Sequence, residues 1–160
     1  MSKILRQIVN MALSEDLGSG DLSSSLLVDN VTSAKIICRE KAIICGIDYS
    51  DLCFAILDPD IVIDWKIKEG EEVAPDYVIC HLKGKSQAIV SAERTALNFL
   101  QTLSGTATQT KKLVSMIKHT NAQLLDTRKT IPNLRYAQKH AVECGGGVNH
   151  RMGLFDCVLL

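Results

Sequence analysis

Residues 122–130 read AQLLDTRKT, an apolar segment that ends in an acid and is followed at once by a basic turn. The apolar part predicts a short buried strand, and its flanks predict helices over 107–117 and from 132 or 133 to about 144. The segment 155–160 predicts a further strand. The order helix, strand, helix, strand is typical of the beginning of a parallel α/β arrangement.

The preceding residues predict a mixed set of helices and strands. A helical apolar face ends at Gly18-Ser19-Gly20, and a longer helix that begins near Ser91 is interrupted at Ser104-Gly105-Thr106. Between them the pattern predicts, in chain order, two short strands or one bent strand over 34–45, a helix over 48–57, a strand over 61–67, a turn over 68–73, a strand over 78–82 and a second turn at Gly84.

The composition is that of a folded protein. Apolar residues make up 46% and charged residues 22% of the 160 residues, which excludes an intrinsically disordered chain. The longest apolar runs are a handful of residues, whereas a membrane span needs about 20. Polar and charged side chains interrupt the first ten residues, so no signal-peptide core is visible. We therefore expect a cytoplasmic protein that does not bind a membrane.

Six cysteines occur at positions 38, 45, 53, 80, 144 and 157 without a CxxC pair. Apolar neighbours around all but Cys144 predict buried, reduced thiols. Their spacings match no zinc pattern and none pairs closely with a histidine, so we predict no metal ligands. The chain has 3 Phe, 3 Tyr and 1 Trp, too few aromatics among the basic residues for a nucleic-acid surface.

The net charge of zero conceals an asymmetry along the chain. Residues 1–80 carry 14 acidic and 7 basic side chains, whereas residues 81–160 carry 4 acidic and 11 basic ones together with all four histidines. This distribution suits an anionic ligand bound by the second half. It is equally compatible with two oppositely charged surfaces that attract each other within the fold or across a dimer.

Two basic segments follow predicted elements of the second half. Arg128 and Lys129 come directly after the strand that ends in Asp126, where ligands of parallel α/β folds bind. Arginine offers a planar fork and lysine a point charge to a phosphate or carboxylate. His150 and Arg151 follow the triple glycine at 145–147, whose backbone can approach a ligand closely.

Four motifs resemble those of nicotinate-nucleotide pyrophosphorylase, also called quinolinate phosphoribosyltransferase. They are EDLGSGD at 15–21, AERTALN at 92–98, DTRKT at 126–130 and CGGGVNHRMGL at 144–154, in family order. The family usually has glycine where this chain has Asn133, and asparagine tolerates a left-handed backbone better than most residues.

The resemblance implies transfer of a phosphoribosyl group from phosphoribosyl pyrophosphate to quinolinate, with loss of carbon dioxide, in NAD biosynthesis. It implies Mg²⁺ as cofactor. The implied α/β fold is an α+β sandwich over residues 1–105, followed over 106–160 by the first elements of an open, apparently truncated α/β barrel. The sandwich of each subunit in a homodimer covers the barrel of the other, so that active sites are shared.

The resemblance also assigns roles. Arg128 and Lys129 are the expected catalytic residues, and Lys129 also meets the phosphorylated donor. Arg94 reaches a quinolinate carboxylate from the partner subunit, and the remaining pocket residues are Thr127, His150 and Arg151. A further quinolinate-binding lysine and the acids that hold ribose and metal lie beyond residue 160 in the family, so we expect the 160 residues alone to be inactive.

Two alternatives stay open at this point. The chain could be an inactive fragment that acts only as a dimerising, anion-binding module. It could also be a relative associated with molybdenum transport, which shares the fold and motifs of the family but acts on another substrate.

Overall fold

The computed structural model describes residues 3–158, which form four α-helices and five strands. The helices are α1 (Lys3–Leu17), α2 (Ile47–Leu57), α3 (Ser86–Ile117) and α4 (Arg135–Cys144). The strands are β1 (Val31–Cys38), β2 (Ala42–Ile43), β3 (Val62–Trp65), β4 (Glu72–Val73) and β5 (Tyr77–Lys85).

All paired strands are antiparallel. A three-stranded sheet has the order β1-β5-β3, and a second sheet pairs β2 with β4. Within residues 3–158, no helix is both long and apolar enough to cross a membrane. The mixture of helices and sheet confirms the predicted α/β class.

The main core lies between the three-stranded sheet and helices α1, α2 and α3, because each contributes an apolar face with the period of its element. Leu13 of α1, Phe54 of α2, Leu82 of β5 and Ala96 of α3 belong to this core and are at most 4% exposed. A smaller cluster joins β2, α3 and α4. Its buried members are Ile43, Cys45, Leu103, Ala107, Ala137 and Ala141.

The N-terminal helix and the helix over 48–57 are confirmed. Of the two alternatives for 34–45, the structure has two strands, but the first begins earlier, at Val31. Two turn predictions and one predicted helix start in this half were wrong or incomplete. Gly84 lies inside β5, and the predicted turn over 68–73 contains β4. The segment around Ser91 is the second turn of a helix that begins at Ser86.

Helix α3 is continuous through Ser104-Gly105-Thr106, where the sequence predicted a break. The hydroxyl groups are hydrogen-bonded while the backbone stays helical. Ser104 Oγ accepts a hydrogen bond from Cys45 N at 2.9 Å, and Thr106 Oγ1 donates to Thr102 O at 3.1 Å. Gly105 is exposed, so it costs only about 1 kcal/mol relative to alanine. The helix therefore crosses residue 105, the expected boundary between the two domains.

The second half contains fewer strand residues than predicted. Within residues 122–158, a single parallel bridge joins Leu125 to Val148, and residues 155–158 are not in a strand. Residues 159 and 160 of that predicted strand lie outside the described residues. Helix α4 begins at Arg135, later than predicted, because Asn133 has a left-handed φ of 65°, a conformation that asparagine tolerates better than most residues.

Candidate functional site

The parallel bridge places the two basic segments side by side. Val148 N donates to Leu124 O at 2.9 Å, and Asp126 N donates to Val148 O at 3.1 Å. Both chain segments run in the same direction through these bonds, so their C-terminal ends emerge at one edge. Residues 127–129 follow the first end and residues 149–151 follow the second; we call these two groups of residues the basic edge.

A buried ion pair holds this edge together. Lys139 Nζ donates to Asp126 Oδ1, and the two side chains are only 1% and 4% exposed. The same carboxylate oxygen accepts the backbone N–H of His150 at 2.8 Å, and Lys139 Nζ also donates to His150 O at 3.1 Å. Because α4 supplies Lys139, this helix is attached to both basic segments at once.

Arg135, in the first turn of α4, forms a second link between the segments. Its guanidinium donates to Thr130 Oγ1 at 3.2 Å, to Met152 O at 2.9 Å and to Arg128 O at 3.4 Å. The fork of donors thus contacts the turn after Asp126 and the segment after His150. Sequence reasoning did not identify Arg135 or Lys139, because no motif spacing relates them to Asp126.

Five of the six predicted site residues lie in these adjacent segments. Thr127 and Lys129 are exposed, whereas Arg128, His150 and Arg151 are partly buried. Thr127 Oγ1 accepts the Lys129 N–H at 3.0 Å, which folds the basic turn back on itself. Arg151 Nη1 donates to the backbone oxygen of Cys157 at 3.0 Å.

The sixth predicted residue, Arg94, is separate from the others. It is exposed on α3, and within residues 3–158 no hydrogen bond or ion pair engages its side chain. Arg94 therefore makes no hydrogen bond or ion pair with the other five predicted site residues.

Unpaired polar atoms concentrate at the same edge. Among the described residues, four buried side-chain atoms have no hydrogen-bond partner, and three of them are Asp126 Oδ2, Arg128 Nε and Asn149 Oδ1. Buried polar groups are nearly always paired, so a cluster of unpaired ones indicates a missing ligand or solvent. The donor at Arg128 suits an anion.

The triple glycine has a structural explanation that the sequence interpretation missed. A Cβ atom at Gly145 would lie 2.4 Å from Ala107 O and 2.5 Å from Thr110 Cβ on α3, and Gly146 has a φ of 86°. The glycines thus let the end of α4 pack closely against α3. The sequence analysis expected these glycines to approach a ligand, but in the structure they approach α3.

The motif at 15–21 likewise has a structural role. Asp21 Oδ1 accepts the backbone N–H groups of Ser23 and Ser24, and its other oxygen accepts the Ser91 hydroxyl at 2.7 Å. These hydrogen bonds lower the pKa of Asp21, and the bond from the Ser24 N–H has the largest effect. The carboxylate thereby fixes the segment after α1 to the start of α3.

Two predictions about the cysteines need correction. Cys157, expected to be buried, is exposed, and Cys38 is only partly buried, whereas Cys45, Cys53 and Cys80 are buried as predicted. The prediction that no cysteine pairs closely with a histidine was also wrong. Cys144 Sγ lies 3.5 Å from Nε2 of His140, one helical turn earlier on α4.

The basic edge is not suited to hold a metal ion by itself. Mg²⁺ prefers oxygen ligands such as carboxylates. Of the acids in the described segments, Asp126 uses Oδ1 to accept hydrogen bonds from Lys139 and His150, and Asp156 Oδ2 accepts the backbone N–H of Met152 at 2.8 Å. Asp126 Oδ2 is buried without a partner, and one such oxygen supplies too few ligands for a magnesium ion.

Fold and site together define an α/β protein in which two adjacent, parallel chain segments are each followed by basic residues. The model of the family "Quinolinate phosphoribosyl transferase, N-terminal domain" matches residues 21–104, and that of the corresponding C-terminal domain matches residues 106–160. The chain belongs to this family, as the four motifs predicted.

Individual relatives agree with the family models. A quinolinate phosphoribosyltransferase [decarboxylating] from Nicotiana tabacum is 40% identical over 159 residues, which are 98% of this chain and 45% of the relative. A probable nicotinate-nucleotide pyrophosphorylase [carboxylating] from Bacillus subtilis is 36% identical over 157 residues, covering 98% and 54%. These names do not favour the molybdenum-transport alternative.

Solved structures give the same result. The nicotinate-nucleotide pyrophosphorylase of Francisella tularensis has a TM-score of 0.93 and 48% identity, over 95% of this chain and 54% of that one. The corresponding protein of Ehrlichia chaffeensis has a TM-score of 0.92 and 31% identity, over 99% and 58%. The chain thus spans about half the length of the relatives that it matches.

Proposed function

We propose that this chain provides the sandwich and the first anion-binding strand ends of a quinolinate phosphoribosyltransferase, which forms nicotinate mononucleotide, pyrophosphate and carbon dioxide. The observation that carries the proposal is the basic edge, where Arg128, Lys129, His150 and Arg151 leave two hydrogen-bonded segments side by side. Quinolinate is a dianion and phosphoribosyl pyrophosphate carries several negative charges, so their site must concentrate cations.

The chemistry gives these cations two tasks. Loss of pyrophosphate builds positive charge on the sugar carbon, which the pyridine nitrogen attacks. Loss of carbon dioxide then leaves electron density on the pyridine ring, and cations fixed nearby stabilise it. The links from Arg135 and Lys139 hold the basic segments in place before substrate binds, so little reorganisation is needed during the reaction. Mg²⁺ would enter with the donor phosphates.

The assignment of Arg94 to a shared site is part of the proposal. Its exposure and its lack of a partner within residues 3–158 suit a side chain that reaches across a homodimer. The acidic first half and basic second half also suit an exchange in which one subunit covers the other.

We propose a cytoplasmic location as well. The six cysteines are all unpaired, as is usual in a reducing compartment. Names of plant relatives refer to mitochondria or chloroplasts. Fractionation of the source cells with an antibody to the chain would test the proposal, and recovery in an organelle fraction would refute it.

The activity can be tested by completing the chain with its relative. In a chimera, residues 1–160 are followed by the part of the Francisella tularensis protein that lies beyond the matched segment. We expect the chimera to form nicotinate mononucleotide from quinolinate and phosphoribosyl pyrophosphate, and the 160 residues alone to form none. A folded, dimeric chimera without activity would contradict the proposal.

The role of Arg128 has a sharper test. Arg128→Lys keeps the charge but removes the bidentate fork, so the affinity of the chimera for quinolinate should fall by about 1.5–3 kcal/mol. Isothermal titration calorimetry measures this change. Arg39→Lys is the control, because Arg39 is an exposed arginine paired with Asp76 and distant from the basic edge in the sequence. Equal affinities for all three proteins would show that Arg128 does not bind quinolinate.

The shared site predicts complementation between two inactive variants. Arg94→Ala and Arg128→Ala homodimers of the chimera should both be inactive, but a mixed dimer regains one intact pocket. Unfolding and refolding an equal mixture makes about half of the dimers mixed and should restore roughly a quarter of the activity. Arg128→Ala mixed with Lys129→Ala should restore nothing. Recovery of activity in the second mixture, or no recovery in the first, would show that the assignment of Arg94 to the partner's pocket is wrong.

A further inference from the structure

Four side chains with metal-binding atoms meet at a place distinct from the basic edge. One sulfur, nitrogen or oxygen atom from each of Cys45, Glu69, His140 and Cys144 lies within 4.8 Å of all the others. His140 Nε2 is 3.3 Å from Glu69 Oε1 and 3.5 Å from Cys144 Sγ. Tetrahedral zinc sites with bonds of about 2.0–2.3 Å have ligand atoms separated by roughly 3.3–3.8 Å.

Three separate parts of the fold contribute these ligands. Cys45 lies between β2 and α2, Glu69 lies in the connection between β3 and β4, and α4 presents His140 and Cys144. Residues four apart on a helix share one face, so the last two point to the same place. The cluster is therefore assembled by the tertiary fold, which explains why the spacing of the cysteines did not reveal it.

The surroundings fix Glu69 in position and place a second carboxylate near His140. The two carboxylate oxygens of Glu69 accept the N–H groups of Gly46 at 2.8 Å and Ile47 at 3.0 Å, at the beginning of α2. His140 Nδ1 lies 3.8 Å from Glu143 Oε2. A carboxylate near the outer nitrogen of a metal-binding histidine orients the ring and leaves Nε2 free for the ion.

The cluster has more potential anions than cations. Glu69 carries a carboxylate, and each thiol can become a thiolate when a metal ion displaces its proton. A divalent cation can therefore bind all four groups.

We propose that Cys45, Glu69, His140 and Cys144 bind one Zn²⁺ ion as a structural site. Two thiolates, one imidazole and one carboxylate form a four-coordinate set, and soft sulfur ligands favour zinc over magnesium or calcium. Each thiol loses its proton to solvent as its sulfur binds, so each ion releases two protons. With four protein ligands no position stays open for a substrate, so the ion joins α4 to the sandwich.

Cys45 is fully buried, but Glu69 and His140 are exposed, which gives the ion a path from solvent. All four ligands belong to this one chain, and the site does not depend on the proposed activity. It can therefore be tested on the 160-residue chain itself.

The first measurement is zinc binding to the reduced, chelator-treated chain, followed by competition with a chromogenic chelator. We expect one ion per chain, release of about two protons near pH 7, and a rise in melting temperature with zinc. Cobalt in place of zinc should give the absorption of a tetrahedral ion with sulfur ligands. Failure to bind, or a cobalt spectrum without sulfur contributions, would overturn the proposal.

Variants separate this site from adventitious binding. His140→Gln and Cys144→Ala alter residues that are not fully buried, so they should fold and bind zinc at least about 100-fold more weakly. Glu143→Gln should weaken binding about tenfold through the histidine. Cys53→Ala, which removes a buried thiol outside the cluster, should bind as the parent does. Unchanged zinc binding by both His140→Gln and Cys144→Ala would overturn the proposal. If Cys45 and Cys144 form a disulfide in the purified chain, failure of zinc to bind after its reduction would also overturn it.

Discussion

Replacement of Lys139 by methionine should destabilise the protein strongly. Methionine has a similar length, but it removes the cation that Asp126 Oδ1 contacts at 4% side-chain exposure. The carboxylate then keeps only the His150 N–H, while its other oxygen is already unpaired. Loss of one partner of a buried pair costs about 3–5 kcal/mol, a large part of the roughly 5–15 kcal/mol that stabilises a typical domain.

Urea unfolding and thermal melting measure the effect, and a fall in melting temperature of roughly 6–20 °C is expected for a chain of this size. The control is Lys66→Met, because Lys66 and Asp64 form an exposed pair worth at most about 1 kcal/mol. Asp126→Asn combined with Lys139→Met should be less destabilised than Lys139→Met alone, since no unpaired charge stays buried. Equal losses for Lys139→Met and Lys66→Met would refute the reasoning.

Two further predictions concern backbone packing and buried thiols. Gly145→Ala should lower the free energy of unfolding by about 1–3 kcal/mol, because its Cβ would meet Ala107 O at 2.4 Å. Gly105→Ala, with nothing within 4 Å of its Cβ, should raise it by about 0.5–1 kcal/mol. Urea unfolding measures both changes, and changes of the same sign would contradict the prediction. Burial raises the pKa of Cys53 and of Cys80 to about 12, so the folded state holds these protons more tightly than the unfolded state does. The free energy of unfolding should therefore fall by about 1.4 kcal/mol per pH unit for each thiol as the pH rises above about 9, and Cys53→Ala should reduce the slope; a slope unchanged by this substitution would exclude Cys53 as a cause.

The sequence predicted the elements whose apolar period is regular. Helices α1 and α2 carry one apolar face each, and β3 alternates after its apolar start, so local pattern and tertiary burial agree. The prediction of a helix break at Ser104 was wrong, because small polar residues indicate a break only when their hydroxyl groups lack a partner. Here the partner is Cys45, which is distant in the sequence.

The candidate site was predicted in part for a similar reason. Arg128 and His150 follow chain segments that the sequence marks, so their common edge could be anticipated. Lys139 and Arg135 could not, because their contacts with Asp126 and Met152 exist only once α4 has docked. The position of Arg94 relative to a pocket stays a prediction that the mixing experiment decides.

The continuity of α3 limits how members of this family can be taken apart. The helix has 32 residues, or about 48 Å at 1.5 Å per residue, and the two family models meet in its middle, between residues 104 and 106. An expression boundary placed there would sever one helix and expose Leu103 and Ala107, which are buried against the rest of the fold. Recombination between relatives should therefore succeed more often at a crossover after Ile117 than at the border between the N- and C-terminal domain models.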